Sequence, residues 1–200
     1  MSTHYTRQIM IAQVDKDDQI IGPVERWKAH TENILHRAIS VVIYYQDQVY
    51  VQHRKHPLFD GWFDVTIASH QVWDPVTGLQ DDIAAVYDNL KREWGVAPSD
   101  LLKKPEYMGK IYYHAEDVEN NSRGYLNPQT AKKLLSEGKH FHEQEFDYFY
   151  RVDLKRPMSP VFEYCYGYSL VPLEDIMSGR NGVARHLTPW IAQAIKDQVL

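Results

Sequence analysis

The chain has 200 residues, of which 44% are hydrophobic and 24% charged, an ordinary balance that excludes a low-complexity or disordered chain and allows one sizeable core. The formal net charge of −5 gives no basic stripe for a nucleic-acid backbone. The lone cysteine, Cys165, excludes an internal disulfide or a Cys-rich zinc site and fits a reducing compartment. No run approaches the ~20 apolar residues of a membrane span, and residues 1–18 lack a signal-peptide core. A cytoplasmic protein of one domain over 1–200, without membrane or nucleic-acid partners, is expected.

In chain order, Ile9 to Val14 reads as a strand, the acidic 15–18 as a turn and Ile20-Ile21 as its short return, punctuated by Gly22-Pro23. Val24 to Thr31 reads as a short helix that delivers His30 before a loop ending in His36. Ala38 to Tyr45 is β-branched and almost free of polar residues, the pattern of a strand buried on both faces. Val49 to Arg54 pairs with it across a turn, and Lys55 to Gly61 is a loop. Phe63 to His70 reads as one strand whose period of two puts Asp64, Thr66, Ala68 and His70 on one face.

From Asp81 a helical stripe of Ile83, Val86, Leu90 and Trp94 runs to Gly95, the C-terminal stop, with Asp82, Asn89 and Glu93 opposite it. Met108 to His114 reads as a strand, 119–124 as a polar loop, and Pro128 to Glu137 as a helix capped by Asn127. His140 to Val152 is a long strand with Phe141, Glu143, Glu145 and Asp147 on one face. Tyr164 to Val171 follows as a strand, then a short helix from Leu173 to Met177 and a terminal helix from Thr188-Pro189-Trp190 to Val199. Strands interleaved with helices indicate an α/β or α+β sandwich.

Glu143 and Glu145 point the same way, and two carboxylates so close repel unless a cation lies between them. On spacing alone, a solvated edge strand explains them better. Each of His30, His36 and His70, taken singly, reads as a surface or satisfied polar residue, while imidazoles joined to carboxylates would suit Mn²⁺, Zn²⁺ or Fe²⁺. Arg26, Arg54 and Lys55 are candidate phosphate contacts, with solvated cations as the plainer reading. Cys165 reads as a small buried residue.

Together these stretches resemble the Nudix superfamily, and within it the type 1 isopentenyl-diphosphate isomerases, from about Ile9 to the terminal helix. Gly22 to Ser40, GPVERWKAHTENILHRAIS, is similar to the isomerase pattern of a histidine, a short loop and Leu-His-Arg-Ala-Phe-Ser. His70 matches the histidine after the isomerase cysteine motif, and Glu143 and Glu145 match its Glu-Asn-Glu pair. The resemblance implies an α/β/α sandwich with a mixed central sheet, and His30, His36, His70, Glu143 and Glu145 around one Mn²⁺ or Zn²⁺. It also implies Glu145 as proton donor, Glu93 as ligand of a Mg²⁺ carried with the substrate diphosphate, and Arg26, Arg54 and Lys55 as its countercharges.

Two positions depart from the pattern. Ala68 stands where the isomerases carry their catalytic cysteine, which leaves Thr66, a water, or a tyrosine such as Tyr112 or Tyr113 as second proton relay. The Nudix helix signature keeps only its last glutamate and glycine, Glu93 and Gly95. The expectation is a metal-dependent enzyme acting on a small, isoprenoid-type diphosphate. A Nudix hydrolase of nucleoside or isoprenoid diphosphates and a metal- or ligand-binding regulator without turnover are the alternatives.

Overall fold

The computed structural model describes residues 3–117, 141–180 and 182–200. The expected loop at 119–124 and helix from Pro128 to Glu137 lie outside the described residues. After a four-residue helix, α1 (Thr3–Thr6), strands β1 (Met10–Val14) and β2 (Ile20–Glu25) form the expected hairpin. Asp15 closes its turn, its Oδ1 accepting the N–H groups of Asp17 and Gln19 at 2.9 Å each, the local bonding that suits Asp to turns. The Gly22-Pro23 break does not occur: β2 runs through it, pairing Pro23 with Ala12. This strand is an edge of the sheet, where a proline's missing donor costs no ladder bond. Helix α2 (Arg26–Thr31) therefore starts later than expected, capped by Glu25, whose carboxylate accepts the Lys28 N–H at 2.8 Å.

Strand β3 (His36–Tyr45) is buried throughout except at Arg37 and Tyr45, as its apolar run requires. It begins two residues earlier than the sequence suggests and so takes His36 into the sheet. β4 (Gln48–Arg54) follows. The single strand expected from Phe63 to His70 is instead two: β5 (Phe63–Asp64) pairs with β4, and β6 (Ile67–Ser69) pairs with β3. The chain changes partner at Thr66, whose hydroxyl donates to the Tyr50 carbonyl at 2.6 Å and accepts the Ile43 N–H at 3.2 Å. A small hairpin, β7 (Trp73–Asp74) and β8 (Gly78–Leu79), precedes α3 (Asp82–Trp94).

Helix α3 starts and stops as its sequence dictates. Asp81 caps the Ala84 N–H at 3.1 Å, and Gly95 takes a left-handed φ of 61°, which costs glycine nothing. Asn89 and Glu93, expected opposite the apolar stripe, are buried as well, so the helix turns a second face inward. The remaining elements are β9 (Glu106–Asp117), β10 (Phe141–Asp153), β11 (Cys165–Pro172), α4 (Leu173–Met177) and α5 (Pro189–Lys196). The last ends short of the expected Val199.

Nine described strands form one mixed sheet in which β10 runs parallel to β3 and antiparallel to β9. Helix α3 covers one face, packing Ala85, Val86, Leu90 and Trp94 on Ile39, Val41, Ile43 and Tyr50. Helix α5 covers the other, with Trp190, Ile191 and Ala194 against Val42, Val49, Val51 and Phe149. This is the expected α/β/α sandwich around a mixed sheet. No helix of the described residues is long and apolar enough to cross a membrane.

One buried carboxylate ties the hairpin tip to the rest of the sheet. Asp18 is 5% exposed and accepts hydrogen bonds from Arg37 Nε at 3.1 Å, from the Lys110 ammonium and from the Tyr148 hydroxyl. Burial pushes its carboxyl up, but these three donors outweigh it and hold the pKa below the usual value. Such a group adds stability above the unfolded pKa of ~3.9 and loses it as pH falls through the lower folded value. Asp18→Asn is expected to lower the melting temperature at neutral pH by about 2–8 °C, equivalent to ~1–2 kcal/mol. Thermal denaturation across pH should show the gap between variant and parent closing below about pH 4.

Candidate metal centre and adjoining cleft

The parallel register of β3 and β10 opposes Glu145 to His36, and the antiparallel register of β10 and β9 opposes Glu145 to Tyr113. Three neighbouring strands thus set a histidine, a glutamate and a tyrosine in one row. The alternation expected along β10 holds: Phe141, Glu143, Glu145 and Asp147 are buried, and the residues between them are half-buried. The acidic pair is therefore not a solvated edge, because β9 and β3 flank β10 on both sides. His30 enters from the last turn of α2 and His70 from the residue after β6.

These elements bring His30, His36, His70 and Glu145 together, one ligand atom of each lying within 4.8 Å of the others. The imidazole centroids are 4.8 to 5.3 Å apart. Main-chain carbonyls orient two of the rings: His30 Nδ1 donates to the His142 carbonyl at 3.0 Å and His36 Nδ1 to the Ile34 carbonyl at 2.6 Å. A carbonyl only accepts, so each of these Nδ1 atoms carries a proton and Nε2 is the ring nitrogen left for the cluster. His36 Nε2 then lies 2.8 Å from Glu145 Oε1 without the alignment of a hydrogen bond, a buried nitrogen left unpartnered. Two acceptors this close require a proton or a cation between them. His70 Nε2 reaches the same oxygen at 3.0 Å.

The electrostatics agree with a cation site. Burial, and the neighbouring imidazoles His36 and His70, hold the His30 pKa well below its usual value, and burial lowers that of His70, so both rings remain neutral donors. Burial would raise Glu145, but His36 and His70 outweigh it and keep the carboxyl strongly depressed. Glu143 moves the other way, pushed well up by burial and by Glu145. Its Oε2 lies 3.4 Å from His30 Nδ1, on the edge of the ring that faces the His142 carbonyl, and it is not one of the four mutually close ligand groups. The donor set of imidazoles and one ionised carboxylate fits a divalent transition ion. Tyr113 completes the row by donating its hydroxyl to Glu145 Oε2, its own pKa raised by burial and by both glutamates.

The cavity over this cluster has room for about 30 Å³, enough for one ion or one water. His4, Arg26, Ser69, His70 and Arg92 form a wall shared with a wider cleft of about 680 Å³, the size of a small-molecule site. The cleft adds Arg7 and Lys91, and an apolar side of Ile9, Met10, Val72, Trp73 and Pro75.

Several expected site residues lie elsewhere. Thr66 is fully buried with its hydroxyl committed to β3 and β4, and it lines neither cavity. Tyr112 is 47% exposed and packs on Phe146 at 5.4 Å; neighbouring residues of β9 face opposite sides, and Tyr113 is the one turned to the cluster. Lys55 also lines neither cavity, its ammonium lying 5.7 Å from the Tyr166 ring. Arg54 reaches the inner cavity, but its guanidinium is bound to Asp64 at 2.7 Å and lies over Trp190. Glu93 lines the inner cavity with Oε1 2.6 Å from Arg92. His4 and Arg92 are additions. Arg92 adjoins Glu93 in the helix signature, a usable signal, whereas His4 reaches Arg26 across 22 residues with no mark in the sequence.

The architecture matches the Nudix fold. DR0079 from Deinococcus radiodurans superposes with a TM-score of 0.61 at 12% identity, over 94% of this chain and 98% of that one. The dihydroneopterin triphosphate pyrophosphohydrolase of E. coli superposes with a TM-score of 0.51 at 14% identity, over 81% and 93% of the two chains. At such identities the likeness is one of fold alone. No family model matches the chain, and no curated protein matches it significantly.

Replacing a donor should empty the site without unfolding the sheet. His70→Ala is expected to lower bound divalent metal, measured by elemental analysis after desalting, from about one equivalent to a small fraction of that. The parent protein's melting temperature should fall on chelation, and that of the variant should not respond.

Proposed function

We propose that the protein is a divalent-metal enzyme acting on small organic diphosphates, with proton transfer of the isopentenyl-diphosphate isomerase type as its reaction. The observation that carries this reading is the surroundings of Glu145, with imidazoles on one oxygen and a tyrosine hydroxyl on the other. His30, His36, His70 and Glu145 would hold Mn²⁺ or Zn²⁺, with Glu143 supporting His30 from behind. When bound, the ion supplies Lewis-acid polarisation and fixes its ligands. Tyr113 holds a proton at Glu145 Oε2, so the pair can pass one proton to a substrate carbon over the cluster, and a water in the space beside Ala68 would take the proton released from the neighbouring carbon as the new double bond forms. Glu93, the expected ligand of a Mg²⁺ carried with the diphosphate, is held by Arg92 at 2.6 Å. The apolar side of the cleft suits an isoprenoid tail, and its arginines suit the phosphates.

Hydrolysis is the second reading, and Ala68 favours it. Its methyl group lines the inner cavity where the resembling isomerases place a thiol, leaving space for a water near the cluster. Incubation with isopentenyl diphosphate and with a nucleoside-diphosphate panel, in the presence of Mn²⁺ or Zn²⁺ and Mg²⁺, separates the two. Allylic diphosphate is the expected product; phosphate release would establish hydrolysis instead, and binding without either product would leave a regulator. Tyr113→Phe should keep metal content and melting temperature while lowering kcat by about 10²- to 10⁴-fold. Ala68→Cys should raise the isomerisation rate, and no gain in a folded, metal-loaded variant would count against the isomerase reading.

A further inference from the structure

The wall between the ion cavity and the cleft contains two guanidinium groups, Arg92, which is paired with Glu93 at 2.6 Å, and Arg26, which has no acid partner among the described residues. Arg26 is 5% exposed, yet among the described residues no carboxylate lies within ion-pair reach of it. Its Nη atoms go to the carbonyls of His4 at 3.0 Å and Arg7 at 3.5 Å and to His4 Nε2 at 3.1 Å, and its Nε is unpartnered. Arg92 donates from Nη2 to Glu93 and to Ser69 Oγ at 3.1 Å, and its buried Nε also lacks a partner. Burial, with repulsion from Arg92, lowers the Arg26 pKa to about 10, and burial with both arginines takes His4 to about 2. A buried cation without an acid partner, as Arg26 is, is costly unless an anion reaches it.

The carboxylates of α3 are meanwhile occupied. Asp82 accepts from Gln71 Nε2 at 2.6 Å and from the Tyr150 hydroxyl, Asp88 accepts from Gln80 Nε2 at 2.7 Å, and Glu93 is held by Arg92. Among the described residues, His30, His36, His70 and Glu145 are the one group able to cage a metal ion. At Glu93, the acid expected to hold a second cation, the helix offers a guanidinium in that cation's place.

We infer that Arg92, with Arg26, is the countercharge for a diphosphate in this cleft, so that the ligand binds without magnesium. This rests on the diphosphate reading above and adds that a single resident ion suffices. The planar forks suit a phosphate's paired oxygens, and both arginines line the cleft.

The test is calorimetric binding of inorganic pyrophosphate to the metal-loaded protein, in magnesium-free buffer and with millimolar magnesium. Affinity should change less than about threefold between the two conditions, well short of the tenfold that ~1.4 kcal/mol represents. Arg92→Gln should weaken binding about tenfold or more at unchanged melting temperature, and Arg92→Lys should recover part of it. Arg92→Glu should make binding depend on magnesium. Binding by the parent protein only with magnesium, or an Arg92→Gln affinity equal to the parent's, would overturn the inference and leave the diphosphate reading intact. Absence of binding in both buffers would overturn the diphosphate reading itself.

Discussion

The site depends on the register between two parallel strands. Main-chain bonding of β3 to β10 fixes Glu145 opposite His36, and a slip by one residue would turn the acidic row of β10 to the opposite face. Because the carboxylate is fully enclosed, its charge must be met by the imidazoles and the Tyr113 hydroxyl or by an ion. The cost of burying Glu143, Glu145 and Asp147 in one row is incurred only where something compensates it. That row is the strongest physical sign that the chain is built around a cation.

Layers and helices were legible in the sequence because they follow from local periodicity and capping. The run Ala38 to Tyr45, the stripe ending at Trp94 with Gly95 behind it, and the alternation from Phe141 to Asp147 each carry their own pattern. The misread elements depend on partners distant in the chain. Pro23 is tolerated because β2 is an edge, and Phe63 to Ser69 splits because the chain leaves β4 for β3 at Thr66, and neither fact has a local signature.

The site divides along the same line. His30, His36, His70 and Glu145 were nameable through the resemblance, since spacing left each with a plainer explanation. Glu143 and Glu145 looked like solvated acids because nothing in their own segment announces that β9 covers them. Arg54 looked like a phosphate contact because its partner Asp64 is brought beside it only by the pairing of β4 with β5. Between Tyr112 and Tyr113, which the sequence leaves level, the choice is one of parity, decided by which β9 residue faces Glu145.

The four donors are not mounted alike. His36 and Glu145 ride on hydrogen-bonded neighbours in the middle of the sheet, whereas His30 ends a six-residue helix and His70 follows the last residue of a three-residue strand. Swapping one ion for another of different radius therefore leaves the first two donors where they are and moves the other two. In the metal enzyme proposed above, tolerance towards ions of different radius would thus rest with α2 and the segment after β6, while the three imidazoles would favour transition ions over those that demand all-oxygen shells.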